Sequence, residues 1–102
     1  MGEIMRFGEA IEYAREGMRI ARHGWYGTGV YIYMTNAHTV ATYAWMEKMP
    51  SQKLTEAEKR DGGVLIESHL DMMTARGTRI IGWSPTNADI LSNDWYLLKE
   101  DE

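Results

Sequence analysis

Imidazole and carboxylate stand two residues apart at His69-Leu70-Asp71. Alternate residues of a strand point the same way, so the pair could serve a metal or an acid–base step. Two ligands are too few for a metal, and no third His, Glu or Asp stands at a characteristic spacing. The plain reading is a polar cross-strand pair on an exposed or interface face. Nucleophilic chemistry has no better footing, because Ser51, Ser68, Ser84 and Ser92 lie in no nucleophile elbow. Gly24-x-x-Gly27-x-Gly29 has the wrong order, and no following helix, for a dinucleotide fingerprint. Asp89 and Asp94 read as lying on one short helix, where their spacing turns them in different directions and speaks against a carboxylate pair. The residue types favour binding over catalysis.

Binding chemistry concentrates in two stretches. In His23-Gly24-Trp25-Tyr26-Gly27-Thr28-Gly29, Trp25 and Tyr26 are the bulk of a glycine-rich turn. Either Trp25 covers the edge of the core, or the pair forms an exposed aromatic platform that a ligand can approach along bare backbone. The second stretch is Trp83-Ser84-Pro85-Thr86-Asn87-Ala88-Asp89. Trp83 sits where a strand becomes a polar corner, and Ser84, Thr86 and Asn87 offer hydroxyl and amide groups. Stacking a base on an aromatic ring is worth ~1–3 kcal/mol, and Asn can read an adenine edge with two hydrogen bonds. Trp25 or Trp83, with Thr86, Asn87 and Asp89, could frame a nucleotide-base pocket. Core filling by the tryptophans and helix capping by Thr86 and Asp89 are the alternatives. Trp95 shares a strand face with Leu97 and reads as core.

These groups need elements to hold them. Phe7, Ala10, Ile11, Ala14 and Met18 follow helical spacing, which predicts a helix over about Gly8 to Glu16 with Gly17 past its end. Arg19 to Arg22 is a short strand. Val30 to Met34 is the clearest strand, with Val30, Ile32 and Met34 on one face and Tyr31 and Tyr33 on the other. Neither face is charged, which suggests that the tyrosine face meets a second subunit or a ligand. Thr35 to Gly63 is the least legible part. Within it Leu54 to Arg60 suits a short exposed helix, with Thr55 and Glu58 at capping-box spacing. Leu65 to Met73 alternates as one strand, turns at Ala75-Arg76-Gly77, and returns as Thr78 to Trp83. Thr86-x-x-Asp89 caps a short helix anchored by Ile90 and Leu91, and Trp95 to Lys99 is the last strand. The expected fold is α+β: a small antiparallel sheet of about five strands with an N-terminal helix and a short C-terminal helix, in a single domain with a variable insertion around 35–64.

Bulk properties narrow the partners. A chain of 102 residues suits one domain, and 44% apolar with 25% charged residues is ordinary for a globular protein. The net charge of −4, with scattered Lys and Arg, argues against a protein that tracks polymeric nucleic acid, although a small anionic ligand needs only one or two arginines. Cysteine is absent, which excludes disulfides and thiolate metal sites. No signal-peptide apolar region or membrane-length apolar run appears, so the expectation is a cytoplasmic protein without a membrane partner. No metal or cofactor is expected.

Three blocks carry a family resemblance. They are Phe7-Gly8-Glu9-Ala10-Ile11 through Gly17, then Ala21-Arg22-His23-Gly24-Trp25-Tyr26-Gly27-Thr28-Gly29 with its following strand, and His69-Leu70-Asp71-Met72-Met73-Thr74-Ala75-Arg76-Gly77-Thr78 on to Asp89-Ile90-Leu91-Ser92-Asn93-Asp94-Trp95. In these the chain resembles the Thoeris anti-defence type-two-like family of phage and prophage domains. The resemblance implies a molecular sponge in the cytoplasm of an infected host. Such a sponge holds a cyclic ADP-ribose-type immune signal, glyco-cyclic ADP-ribose, and in some relatives cyclic dinucleotides, without cleaving it. It also implies a homotetramer with pockets between subunits. By position, Trp25 would stack on a base, with Tyr26 beside it, and Trp83, Ser84, Thr86, Asn87 and Asp89 would line the pocket. Thr35 to Ile66 departs from the family's usual middle loop, and Pro85-Thr86-Asn87 stands where Ala-Ser-Gln is more frequent.

Two other classes of function compete with the sponge. One is a cyclic-nucleotide hydrolase using His69, Asp71 or Asp89. The other is a phage protein-interaction module that uses the aromatic strand face and the Met-rich middle.

Overall fold

A computed structural model describes residues 3–25, 29–49 and 53–99. In chain order the elements are α1 (Phe7–Arg15), β1 (Ile20–Arg22), β2 (Tyr31–Thr35), β3 (His38–Ala41), α2 (Thr42–Lys48), α3 (Glu56–Asp61), β4 (Gly63–Ile66), β5 (His69–Met73), β6 (Arg79–Ile81), α4 (Asn87–Leu91) and β7 (Trp95–Leu97). They fall into two compact units, one of Met1–Thr35 with His69–Glu102, the other of Asn36–Ser68.

The larger unit is α+β. Its five strands form an antiparallel sheet in the order β6-β5-β2-β1-β7, with α1 at the N-terminus and the short α4 near the C-terminus. At the start of α1 the Glu9 carboxylate accepts the Arg6 backbone N–H at 3.3 Å. The helix ends in a Schellman turn, in which the N–H of Gly17 donates to the Ala14 carbonyl and that of Met18 to the Tyr13 carbonyl, with Gly17 at φ +95°. That turn reverses the chain into β1.

Ala10 and Ala14, one turn apart on α1, are buried against Ile20, Ile32 and Trp95, and Phe7, Ile11, Leu70, Met72 and Leu97 pack around this cluster. Small residues on the helix let its backbone come close to the sheet, and the large residues come from the strands. Trp95 is 0% exposed, as its pairing with Leu97 on one strand face predicts. On the other face of β2, the Arg19 guanidinium lies 5.1 Å from the Tyr31 ring centre and that of Arg79 5.3 Å from the Tyr33 ring centre. Charge therefore reaches the tyrosine face from neighbouring segments.

The smaller unit pairs β3 with β4 as a two-stranded ladder and carries α2 and α3. Thr55 caps α3: its hydroxyl accepts the Glu58 N–H at 3.1 Å, and the Glu58 carboxylate accepts the Thr55 N–H at 2.8 Å. Gly62 ends that helix at φ +70°. Gly63 opens β4, where an added Cβ would lie 2.4 Å from Thr39 Cγ2.

Three expectations are corrected. Leu65 to Met73 is not one strand. The ladder breaks at Glu67-Ser68, because β4 pairs within the smaller unit while β5 pairs with β2 and β6. Ser68 Oγ accepts the Ala37 N–H at 3.0 Å across that break. Ile90 and Leu91 do not anchor α4; they are 45% and 78% exposed, and the residue this helix buries is Asp89. Third, Asp71 is not on an exposed face but 1% exposed, within the sheet. No helix among the described residues is long and apolar enough to cross a membrane.

Candidate functional site

Arg22 ends β1 two residues after the buried Ile20, so it leaves the strand on the core-facing side. It pairs in register with Trp95, which brings the preceding Asp94 beside it. Arg22 Nε–H donates to Asp94 Oδ1 at 2.9 Å and Nη1–H to Asp89 Oδ1 at 2.8 Å. Asp94 Oδ2 accepts the Gly24 N–H at 2.8 Å. Asp94 lies beyond the end of α4, so the two carboxylates converge on one guanidinium instead of diverging around one helix. That corrects the sequence expectation and brings in Arg22, which residue-by-residue reading did not single out.

Asp89 is 6% exposed and fully engaged. Its Oδ2 accepts the Thr86 N–H at 2.9 Å, and its own N–H donates to Thr86 Oγ1 at 3.1 Å, which completes the capping box that Thr86-x-x-Asp89 predicts. Oδ1 also accepts the Trp25 indole N–H at 3.2 Å, and the Asp89 carbonyl accepts the Trp95 indole N–H at 2.8 Å. Burial pushes the Asp89 carboxyl up, but the Thr86 backbone N–H and the Arg22, Trp25 and Thr86 side chains outweigh it and hold the group below the ordinary carboxylate range. The same contest, settled by Arg22 and the Gly24 N–H, lowers Asp94. Arg22 is raised, chiefly by its hydrogen bond to Asp94, against burial and with help from Asp89.

Three indoles meet above this network. Trp25 and Trp95 have ring centres 5.2 Å apart at 77°, Trp25 and Trp83 6.1 Å at 75°, and Trp83 and Trp95 6.5 Å at 69°. These edge-to-face contacts suit the aromatic quadrupole and set the rings at fixed angles. Trp95 is the buried base of the group, and Trp25 and Trp83 are half-buried at a cleft of about 620 Å³. That is room for a nucleotide-sized ligand. Met72, Val30 and Ala75 add apolar wall; Arg22, Gly24, Thr74, Thr86 and Asp89 add polar wall.

Of the residues expected at a site, Trp25, Trp83, Thr86 and Asp89 therefore surround one cleft. Ser84 and Asn87 are exposed and do not line it. Tyr26 lies outside the described residues. Asp71 is also away from the cleft lining: it accepts hydrogen bonds from Thr35 Oγ1 and, at 2.9 Å, from the Gly82 N–H, with His69 Nε2 3.4 Å away. Among the described residues no group of three His, Cys, Asp or Glu side chains could hold a metal ion.

Fold and site define a small α+β domain with a tryptophan-walled cleft braced by an Arg–Asp network. Residues 5–98 match the Tad2-like family, the Thoeris anti-defense 2-like domain, and the chain belongs to that family. It is similar to Thoeris anti-defense 2 of Bacillus phage SP01, with 26% identity over 97 residues, covering 92% of this chain and 94% of that protein.

Proposed function

We propose that this chain is a phage anti-defence protein that binds and sequesters a cyclic ADP-ribose-type immune signal, glyco-cyclic ADP-ribose, without cleaving it. Membership of an anti-defence family supports the biological role. The observation that carries the mechanism is the wall of the cleft: two indoles at fixed angles beside carboxylates that are already paired with Arg22. A carboxylate held ionised and hydrogen-bonded on both oxygens is a poor general base, whereas an indole face is a good platform for an adenine ring. Thr74, Thr86 and the edge of Arg22 supply polar contacts for ribose and phosphate groups. Cyclic dinucleotides share the bases and phosphates that such a wall recognises. In this reading the protein acts in the host cytoplasm as a homotetramer whose subunits complete one another's pockets.

The test is depletion followed by release. Purified protein is incubated with cyclic ADP-ribose isomers, glyco-cyclic ADP-ribose and cyclic dinucleotides, and the free nucleotide is measured before and after boiling. Intact nucleotide recovered on boiling is the expected result, with depletion lost in Trp25→Ala. A linearised product would make the protein a hydrolase, and no depletion of any nucleotide would overturn the sponge.

A further inference from the structure

Each tryptophan on the cleft wall follows a glycine, and each of these glycines gives its backbone N–H to a carboxylate on another element, from far along the chain at Gly24 and from across the β5–β6 hairpin at Gly82. Asp94 Oδ2 holds the Gly24 N–H at 2.8 Å, one residue before Trp25. Asp71 Oδ1 holds the Gly82 N–H at 2.9 Å, one residue before Trp83. The first clamp belongs to the Arg22 network. The second does not, and nothing in the proposed binding role has used it.

Asp71 and Met72 are successive residues of β5, and Met72 lines the cleft. Alternation along the strand puts the Asp71 side chain on the opposite face. The carboxylate therefore reaches the Gly82 N–H from behind the wall. Gly82 has φ +83°, a left-handed conformation that ends β6 and turns the next residue toward the cleft. The Trp83 N–H then returns to the sheet by donating to the Leu70 carbonyl at 2.7 Å. Asp71 is 1% exposed, and its other oxygen accepts from Thr35 Oγ1. A carboxylate in that position costs desolvation and is not needed to fill the sheet, where an apolar side chain would serve. Beside the Thr35 hydroxyl and His69 Nε2, 3.4 Å from Oδ1, what it provides is a strong acceptor for the turn amide of Gly82.

We propose that Asp71 is a positioning residue for the ligand cleft: it fixes the Gly82 turn and through it the angle of Trp83, without touching the ligand. This rests on the reading of the cleft as a nucleotide site. Once the Gly82 amide loses its acceptor, Trp83 keeps its backbone hydrogen bond to Leu70 but the turn before it loosens, and the ring shifts against Trp25 and Trp95.

The experiment records the Gly82 amide and tryptophan indole N–H resonances of the ligand-free protein, together with melting temperature and depletion of glyco-cyclic ADP-ribose. In Asp71→Ala the Gly82 and Trp83 resonances are expected to move, the Trp25 and Trp95 indoles, whose rings touch Trp83, to follow by smaller shifts, and affinity to fall roughly tenfold or more as the preorganised wall is lost. Asp71→Asn keeps an acceptor for the Gly82 N–H, weaker for want of charge, and restores the Trp83 resonance and most of the affinity. Thr35→Val, an isosteric change, shifts the same two resonances less far while the protein stays folded, which decides the matter if Asp71→Ala does not fold. Unmoved Trp83 and Gly82 resonances in folded Asp71→Ala or Thr35→Val overturn the proposal, as does Asp71→Asn with the affinity of Asp71→Ala. If the wild-type protein depletes no nucleotide, the sponge reading fails, and the ligand-free resonances still decide whether Asp71 sets Trp83.

Discussion

The Trp25 indole N–H ends 3.2 Å from Asp89 Oδ1, the same oxygen that receives Arg22 Nη1–H at 2.8 Å. One carboxylate oxygen thus sets the edge of a cleft-wall ring and neutralises the cation beneath it. Because its second oxygen caps α4, the wall, the ion pair and the helix start share one side chain.

Asp89→Ala removes all three at once. It leaves Arg22 with Asp94 but not Asp89, frees the Trp25 indole N–H and uncaps α4, so the expected loss is about 2–4 kcal/mol of folding stability. Urea denaturation measures it. A loss below about 1 kcal/mol, typical of an exposed salt bridge, would mean that the network is solvent-screened.

Acid should act through the same pair. The folded-state carboxyls of Asp89 and Asp94 lie below their unfolded values. The unfolded chain therefore binds more protons in the window between the two. Their contribution is complete above the ordinary Asp value of about 3.9 and is lost as pH falls through the depressed folded-state values. Arg22 stays charged across this range. Urea midpoints measured from neutral pH downward should show this acid limb, and Asp94→Asn should make it shallower; an unchanged slope would exclude Asp94 as a contributor.

Arg22→Lys keeps the charge and loses the fork. One ammonium cannot reach Asp89 and Asp94 in the geometry of Nη1 and Nε together. One carboxylate loses its partner, a loss of roughly 1.5–3 kcal/mol for a hydrogen bond to a charged group. Thermal melts would detect it, and depletion of the nucleotide should weaken in step as the Trp25 edge loosens. A lysine variant that matches wild type in both readings would refute the bridging role.

Two glycines should respond in opposite senses to the same change. Gly8 is exposed on α1 with open space where a Cβ would go, so Gly8→Ala should stabilise by about 0.5–1 kcal/mol through helix propensity. At Gly24 the added Cβ would meet Asp94 Oδ2 at 2.8 Å and Arg22 Nη2 at 3.3 Å, a carboxylate and a guanidinium held by each other. Gly24→Ala should destabilise and, unlike Gly8→Ala, reduce nucleotide depletion. Differential scanning of the two variants side by side is the check.

Much of the fold is legible in the sequence because it is local. Helical spacing from Phe7 to Ala14, the Gly17 stop, the Tyr31–Tyr33 alternation and the Thr55 and Thr86 caps each depend on residues within a few positions of one another. Trp25, Trp83, Thr86 and Asp89 were recognisable as chemical types. Their convergence was not, because the Arg22–Asp94 contact depends on β1 pairing with β7, a register that no local pattern encodes. Asp94 therefore read as helical, although it belongs to the entry of the last strand. The split of Leu65–Met73 was hidden for a similar reason: alternation continues through Glu67-Ser68 although the partner strand changes.

Thr35 and His69 face each other as the last rung of the β2–β5 ladder, and everything from Asn36 to Ser68 departs from one and returns to the other. Opposed residues of an antiparallel pair lie about 5 Å apart, and the entropic cost of closing a loop over that gap grows only with the logarithm of its length. The rung is thus a socket: the sheet that carries the cleft can accept a longer, shorter or unrelated segment there at little thermodynamic cost. That makes the position a natural place for sequence turnover during host–phage competition, and a practical one for grafting a fluorescent reporter.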